Sequence, residues 1–310
     1  MLFKRKIILI IFFSSISTIS IAQQKKDSLP FFESSPNPHP PRIHALNYSI
    51  VGMYGLSMSW LYTQWYKDYP RSSFHFFNDN SEWEQMDKYA HAWDAYNIAK
   101  PLFRCYRWAG YDNTKATLYG AGVAYLFQTT VEIFDGFSSE WGFSGGDILA
   151  NTGGVALFTF QQLKWQEQRI VLKYSFHETS YSQFRPKLLG SNLPERILKD
   201  YNGQTYWLAI NPKSFFKNTS IPSWLSLAIG YGAEGMTGGK NNSEFVDGIE
   251  LPKFDRYRQF YLSVDFDLAR INTKSKFLSS AFKLINIIHL PAPAIEWSSG
   301  RKPVYRALFF

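Results

Sequence analysis

The chain of 310 residues has a single cysteine, Cys105. One thiol excludes an internal disulfide framework and any multi-cysteine metal centre, and Cys105 reads as a small buried filler. Charge is scarce, at 19% of residues. No nucleophile elbow, phosphate-binding loop or zincin motif occurs, and no internal repeat. Nothing resembles a nucleic-acid-binding motif, so nucleic acid is not an expected partner. The reactions that declare themselves by motif are therefore excluded, and the reading has to come from composition and pattern.

Aromatic residues are abundant: 19 Tyr, 10 Trp and 27 Phe. The net charge is +8. At the N-terminus Lys4, Arg5 and Lys6 precede the apolar run IILIIFF (7–13), and Ser20-Ile21-Ala22 supplies small residues before Gln23. This predicts a secretory signal peptide over 1–22, since the apolar run is short for a membrane span. No cysteine lies near the cleavage point, so a lipid-anchored N-terminus is not expected. Without the three signal-peptide cations the chain keeps +5. An exported, mildly basic, aromatic-rich protein suits contact with anionic lipid or another envelope component, which is the expected partner. The expected place is the outer membrane or a membrane-associated periplasmic site, with the inner membrane as the alternative.

Residues 23–43 are polar and proline-rich and predict an extended linker. Residues 44–167 read as helices with short joins. HALNYSIVGMYGLSMSWLYTQWY carries no charged residue from His44 to Tyr66, the second helix ends at Gly110, and the third is stopped by Gly136. That predicts a four-helix up-down bundle. Ser81 and Glu84 have the spacing of a capping box for the second helix. After about residue 168 the period becomes two. In RYRQFYLSVDFDLARI, Phe260, Leu262, Val264, Phe266 and Leu268 face one way, and Gln259, Tyr261, Ser263, Asp265 and Asp267 the other. This is a strand with one buried face. Residues 170–176, 205–210, 224–235 and 304–310 are further strands, and 274–288 is an amphipathic helix with the apolar stripe Phe277, Ala281, Leu284, Ile285 and Ile288. The fold class is α+β: an N-terminal four-helix bundle, then an antiparallel strand-rich region over 168–310. A partial or small barrel is the alternative for that region.

The chemistry concentrates in MDKYAHAWDAY (86–96). On a helix Asp87, His91 and Asp94 share one stripe, while Tyr89, Trp93 and Tyr96 share the opposite one. Taken alone, the polar stripe reads as a solvated face. The next helix is uncharged from Ala116 to Val131 and then places Gln128, Glu132 and Asp135 on one face. A carboxylate ending so apolar a helix opposes the helix dipole and calls for a partner, Lys88 or protonated His91. The fourth helix opens SGGDILANTGG, where Ser144 caps and Asp147 and Asn151 follow one turn apart. Gly153 and Gly154 are costly in a helix interior and suggest close approach of another helix.

Asp87-Lys88-Tyr89-Ala90-His91, then Glu132 with Asp135, then Ser144 to Asp147 and Asn151 to Gly154, resemble in their order two related groups. One is the YfiM-like family of predicted periplasmic lipoproteins of unknown function, and the other is the VanZ-like membrane proteins. The resemblance covers roughly residues 84–160. It implies an envelope protein, and VanZ-like proteins are linked to glycopeptide-antibiotic resistance; it implies no reaction. The chain departs from the lipoprotein pattern in having no lipidated cysteine and a long strand-rich second half.

Two functions are open. The first is an exported envelope protein with a structural or binding role. A buried network of Asp87, Lys88, His91, Glu132, Asp135, Asp147 and Asn151 holds its bundle, and its strands touch membrane. The second is an enzyme acting on envelope lipid or peptidoglycan. His91 would then be the general acid or base, Glu132 its orienter or second acid–base group, and Lys88 an anion clamp. No metal or cofactor is expected, because there is one histidine and no ExxH pair among these carboxylates.

Overall fold

The computed structural model describes residues 31–67 and 69–310; the expected signal peptide and residues 23–30 of the expected linker lie outside the described residues. Helix α1 (Pro40–Leu61) begins inside the segment expected to be linker. His39 caps it, its ring accepting the Arg42 N–H at 3.4 Å. Pro40 and Pro41 suit a first turn whose N–H groups have no helical partner. A single π-helical turn, Tyr62–Tyr66, follows.

Three longer helices come next: α2 (Met86–Trp108), α3 (Asn113–Gly136) and α4 (Gly145–Trp165). Asp112 caps α3 by accepting the Lys115 N–H at 2.8 Å, and Ser144 caps α4 by accepting the Asp147 N–H at 3.1 Å. The capping box expected from Ser81 and Glu84 does not form. Trp83, Glu84 and Gln85 instead take left-handed backbone, φ 49°, 50° and 65°, a conformation that strains residues bearing a Cβ. Outside contacts hold it. Trp83 N–H donates to Gly239 O at 2.8 Å, and Glu84 pairs with Arg256 at 3.2 Å and Arg258 at 3.0 Å.

Helix α2 is central, packed on both α3 and α4. Gly154 permits one of these contacts. A Cβ there would lie 2.1 Å from Ala92 O, so only glycine lets the α4 backbone rest on α2. Gly153, expected to share that role, faces open space. Helix α1 lies to one side, where Leu46 meets Tyr106, Ala109 and Ala116. Cys105 is exposed on α2, not the buried filler that its residue type suggested.

The second half contains β1 (Ile170–Phe176), the short helices α5 (Pro186–Leu189) and α6 (Leu193–Lys199), β2 (Gln204–Ile210), α7 (Pro212–Phe215) and β3 (Leu225–Glu234). A small hairpin of β4 (Phe245–Val246) and β5 (Ile249–Glu250) follows, then β6 (Tyr257–Phe266), α8 (Lys276–Ile285), β7 (Ala292–Ser298) and β8 (Val304–Phe309). Six of these strands form one antiparallel sheet in the order β1-β2-β3-β6-β7-β8. The fold is therefore mixed helix and sheet, and the sheet does not close into a barrel. The free edge of β1 is used differently. Tyr174 N–H donates to Ile287 O at 3.0 Å, and Tyr174 O accepts from His289 N–H at 2.8 Å.

The aromatic stripe of α2 joins the halves. Tyr89 stacks on Tyr231 with centroids 4.4 Å apart, Trp93 meets Tyr174 and Tyr206, and Tyr96 OH donates to Ile170 O at 3.0 Å. That leaves the opposite stripe, with Asp87 and His91, to face α3 and α4.

The sheet is turned inside out. Along β6 the buried residues are Gln259, Tyr261, Ser263 and Asp265, while Phe260 and Leu262 are exposed. Along β7 Ala292, Ala294, Glu296 and Ser298 are buried, while Ile295 and Trp297 are exposed. The register lines up Ile229, Leu262, Ile295 and Tyr305 as one apolar row across four strands. Ile229 is 53% exposed and Leu262 43%.

The polar face is buried because the sheet curls over it. Strands β1 and β6 are separated by two others, yet Lys173 Nζ lies 2.6 Å from Asp265 Oδ2. His289 Nδ1 lies 2.9 Å from Asp265 Oδ1, and its ring stacks on Trp207 at 3.9 Å. Phe309 of β8 closes over Trp207 and Tyr261.

Candidate functional site

The polar residues singled out in MDKYAHAWDAY and in α3 and α4 gather at one end of the bundle. Helix periodicity brings each helix's set onto a single face: Asp87 and His91 on α2, Gln128, Glu132 and Asp135 on α3, Asp147 and Asn151 on α4. Asp147 sits in the first turn of α4, where the helix dipole favours a negative charge. Glu132 Oε2 accepts the N–H of Ser144, the capping residue of α4, at 3.3 Å.

Lys88 is held by three carboxylates. Its Nζ is 2.6 Å from Asp79, 3.1 Å from Asp87 and 2.8 Å from Asp147. The His91 ring is fixed on both sides. Nδ1 is 3.2 Å from Asn151 Oδ1 and 3.4 Å from Glu132 Oε1; Nε2 is 3.7 Å from Asp87 Oδ1 and 3.8 Å from Asp147 Oδ1. Asn151 Oδ1 also accepts from Gln128 Nε2 at 3.3 Å. The solvated-face reading of the α2 stripe is thereby displaced: its polar groups meet acids from two other helices. Asp135 stands slightly apart, accepting from Tyr66 OH at 2.7 Å. Asp94 lies on the wall of the same cavity.

Three contributors had no signal in the sequence. Asp79 comes from a polar loop, Tyr66 from the π-helical turn, and Tyr201 from the sheet half, where its OH donates to Asp87 Oδ1 at 2.7 Å. Only their final positions mark them.

Crowding dominates the electrostatics. Burial opposes the charged imidazole of His91, but Asp87, Asp147 and Glu132 outweigh it and lift the ring to about 9. Burial likewise opposes the Lys88 ammonium, and Asp87 and Asp147 overcome it, so Lys88 is raised above its ordinary value. For Asp87 the neighbouring His91 and Lys88 exceed the effect of burial and hold its carboxyl below the usual range. The other acids go the opposite way. Burial, reinforced by Asp147 and Asp135, raises Glu132 to about 8; burial raises Asp135 to about 7; burial and then Asp87 raise Asp147 to about 7. Glu132, Asp135 and Asp147 cannot all be charged beside Asp87 in so dry a place, so these three hold protons between them.

The centre opens on a cavity of about 500 Å³. Asp87, His91, Asp135 and Asp147 share its wall with aromatic rings, among them Tyr66, Trp141, Tyr201 and Tyr206. Among the described residues, Asp87, His91 and Asp147 place potential metal-ligating atoms within 4.8 Å of one another. Chemically the arrangement can hold and pass protons, pair with a cation, or fix three helices in register.

Residues 75–162 match the model of a family described as "Predicted periplasmic lipoprotein (DUF2279)". The matched segment spans about a quarter of the chain, from the loop that carries Asp79 to the end of α4, and so contains most of the polar centre. No curated protein and no solved structure matches the chain. A likeness to predicted periplasmic lipoproteins of unknown function is thus supported for that segment.

Proposed function

We propose that the chain is an exported cell-envelope protein that rests its sheet and α8 on a lipid surface, with the charged centre of the bundle as a structural or binding site. The likeness of residues 75–162 to predicted periplasmic lipoproteins supports the envelope location. The observation that carries the lipid contact is the reversed sheet. In water an alternating strand buries its apolar set; here Ile229, Leu262, Ile295 and Trp297 point outward and the serines and acids inward. Apolar-out, polar-in is the pattern of strands that face hydrocarbon. Helix α8 repeats it, with Phe277 72% and Leu284 60% exposed. Its Lys276 and Lys283, with Lys274 just before it, suit anionic headgroups. No helix among the described residues is long and apolar enough to cross a membrane.

Flotation of the full chain with vesicles of phosphatidylethanolamine and phosphatidylglycerol tests this. The wild type is expected to float with the vesicles. The double variant Ile229→Asp, Leu262→Asp should remain folded and stay at the bottom. A wild type that does not float, or a variant that floats as well, overturns the reading.

One observation favours a second reading, an acid–base enzyme on envelope lipid or peptidoglycan: His91 reaches a cavity large enough for a substrate group. Under it, His91→Ala leaves the melting temperature unchanged and removes an envelope phenotype; under the structural reading it lowers the melting temperature.

A further inference from the structure

We propose that Asp87, His91 and Asp147 bind one divalent transition-metal ion, with Glu132 and Asn151 fixing the imidazole from behind. The donor atoms converge. Nε2 of His91 lies 3.7 Å from Asp87 Oδ1 and 3.8 Å from Asp147 Oδ1. An ion about 2.0–2.2 Å from each donor holds such atoms roughly 3–3.5 Å apart, so the gap closes with a small inward shift.

The back of the ring is arranged as in a ligating histidine. Asn151 Oδ1, which also accepts from Gln128 Nε2, faces Nδ1 at 3.2 Å, so Nδ1 carries a proton and Nε2 is presented to the two aspartates. Metal-bound histidines are held in this way by a carboxylate or carbonyl on the far nitrogen.

Charge and burial point to the same place. Asp79, Asp87, Glu132, Asp135 and Asp147 outnumber Lys88 and the imidazole, and a cation offsets the excess. Asp147 is only 3% exposed, and its Oδ1 makes no hydrogen bond of good geometry. Lys88 does sit 2.8 Å from that oxygen, but it also has Asp79 at 2.6 Å, so yielding Oδ1 to an ion does not strand the ammonium. The donor set decides the class of ion: an imidazole with carboxylates suits zinc, manganese or iron rather than magnesium or calcium. The cavity wall carries the same three side chains, so a coordination position stays open to whatever enters.

The test uses the full chain, stripped with a chelator and titrated calorimetrically with Zn²⁺ and, separately, Mn²⁺. One ion per chain is expected, at micromolar affinity or tighter for at least one of the two. Asp147→Asn and His91→Gln should abolish it, and Glu132→Gln should weaken it by about tenfold. Absence of saturable one-to-one binding, or binding unchanged in Asp147→Asn and His91→Gln, overturns the proposal. If those variants do not fold, zinc-edge X-ray absorption on the wild type decides. A single imidazole nitrogen with oxygen neighbours supports the site, and a shell without imidazole refutes it.

Discussion

The protein contains two charged clusters, each with a lysine, a histidine and at least one aspartate, and they are built to opposite rules. In the sheet, Lys173, Asp265 and His289 form a closed set. All three side chains are fully buried, and one carboxylate serves one ammonium and one ring. In the bundle, Lys88 and His91 meet four carboxylates, Asp79, Asp87, Glu132 and Asp147, and three of these acids line a cavity. Burial opposes ionisation of Asp265, yet the His289 hydrogen bond and Lys173 hold it below its ordinary value. Glu132, Asp135 and Asp147 are all raised. A balanced, sealed cluster pins strands together. An over-acidic cluster beside a void has charge left to share with protons, a cation or a ligand. Stoichiometry and access, more than residue type, separate the two.

The comparison can be broken at several points. Asp265→Ala strands a buried ammonium and should cost about 3–5 kcal/mol in urea unfolding, the largest single effect expected. Lys88→Met removes the ammonium from three carboxylates, one of which, Asp147, already takes up a proton near neutral pH, so about 2 kcal/mol is expected. A cost equal to that of Asp265→Ala would erase the distinction between the clusters. Gly154→Ala drives a Cβ against Ala92 O and should cost about 1–3 kcal/mol, shifting α4 and the bundle centre while sparing the sheet cluster. Gly153→Ala, with open space around it, should stabilise by about 0.5–1 kcal/mol.

A further contrast lies in the pH profile of the chelated protein. His91 rises from 6.5 to about 9, so its contribution is complete below 6.5 and lost as pH rises through 9. Glu132 rises from 4.5 to about 8, and Asp147 from 3.8 to about 7. In this range the folded centre binds more protons than the unfolded chain, so stability falls as pH rises. Lys100, lowered to about 7 by burial, works in the opposite direction above pH 7. The informative quantity is therefore the difference between wild type and Glu132→Gln, whose melting temperature should decline less between pH 5 and 8. Equal slopes would mean that Glu132 titrates in the folded protein as it does unfolded.

Much of the fold was legible. The stop at Gly136, the Ser144 cap and the charge-free helix faces locate α3 and α4, and the alternation in RYRQFYLSVDFDLARI locates β6. Period fixes which residues share a face; it does not say which face turns inward. On β6 the inward set is the polar one, because curling of the sheet encloses it, and that is a long-range property. The bundle centre was legible because an acid such as Glu132, ending an uncharged helix, has to find a cation, and Lys88 and His91 were the nearest by pattern. Asp79, Tyr66 and Tyr201 were not, since loops and the sheet half deliver them. The strand over 170–176 was legible, but the buried pairing of Lys173 with Asp265 was not, since it joins strands with two others between them. Ser81 and Glu84 have the spacing of a cap, but Arg256 and Arg258 claim Glu84 and the backbone turns left-handed instead.

The reversed sheet is the claim on which the lipid-contact account rests. Nitroxide labels placed singly at positions 229, 262 and 295 of the vesicle-bound chain, with a label at 240 as the wet reference, measure it through collision with oxygen and with a water-soluble nickel chelate. The account predicts that the three sheet positions collide with oxygen and are shielded from the chelate, while position 240 is not shielded. Chelate access at 262 equal to that at 240 would contradict it.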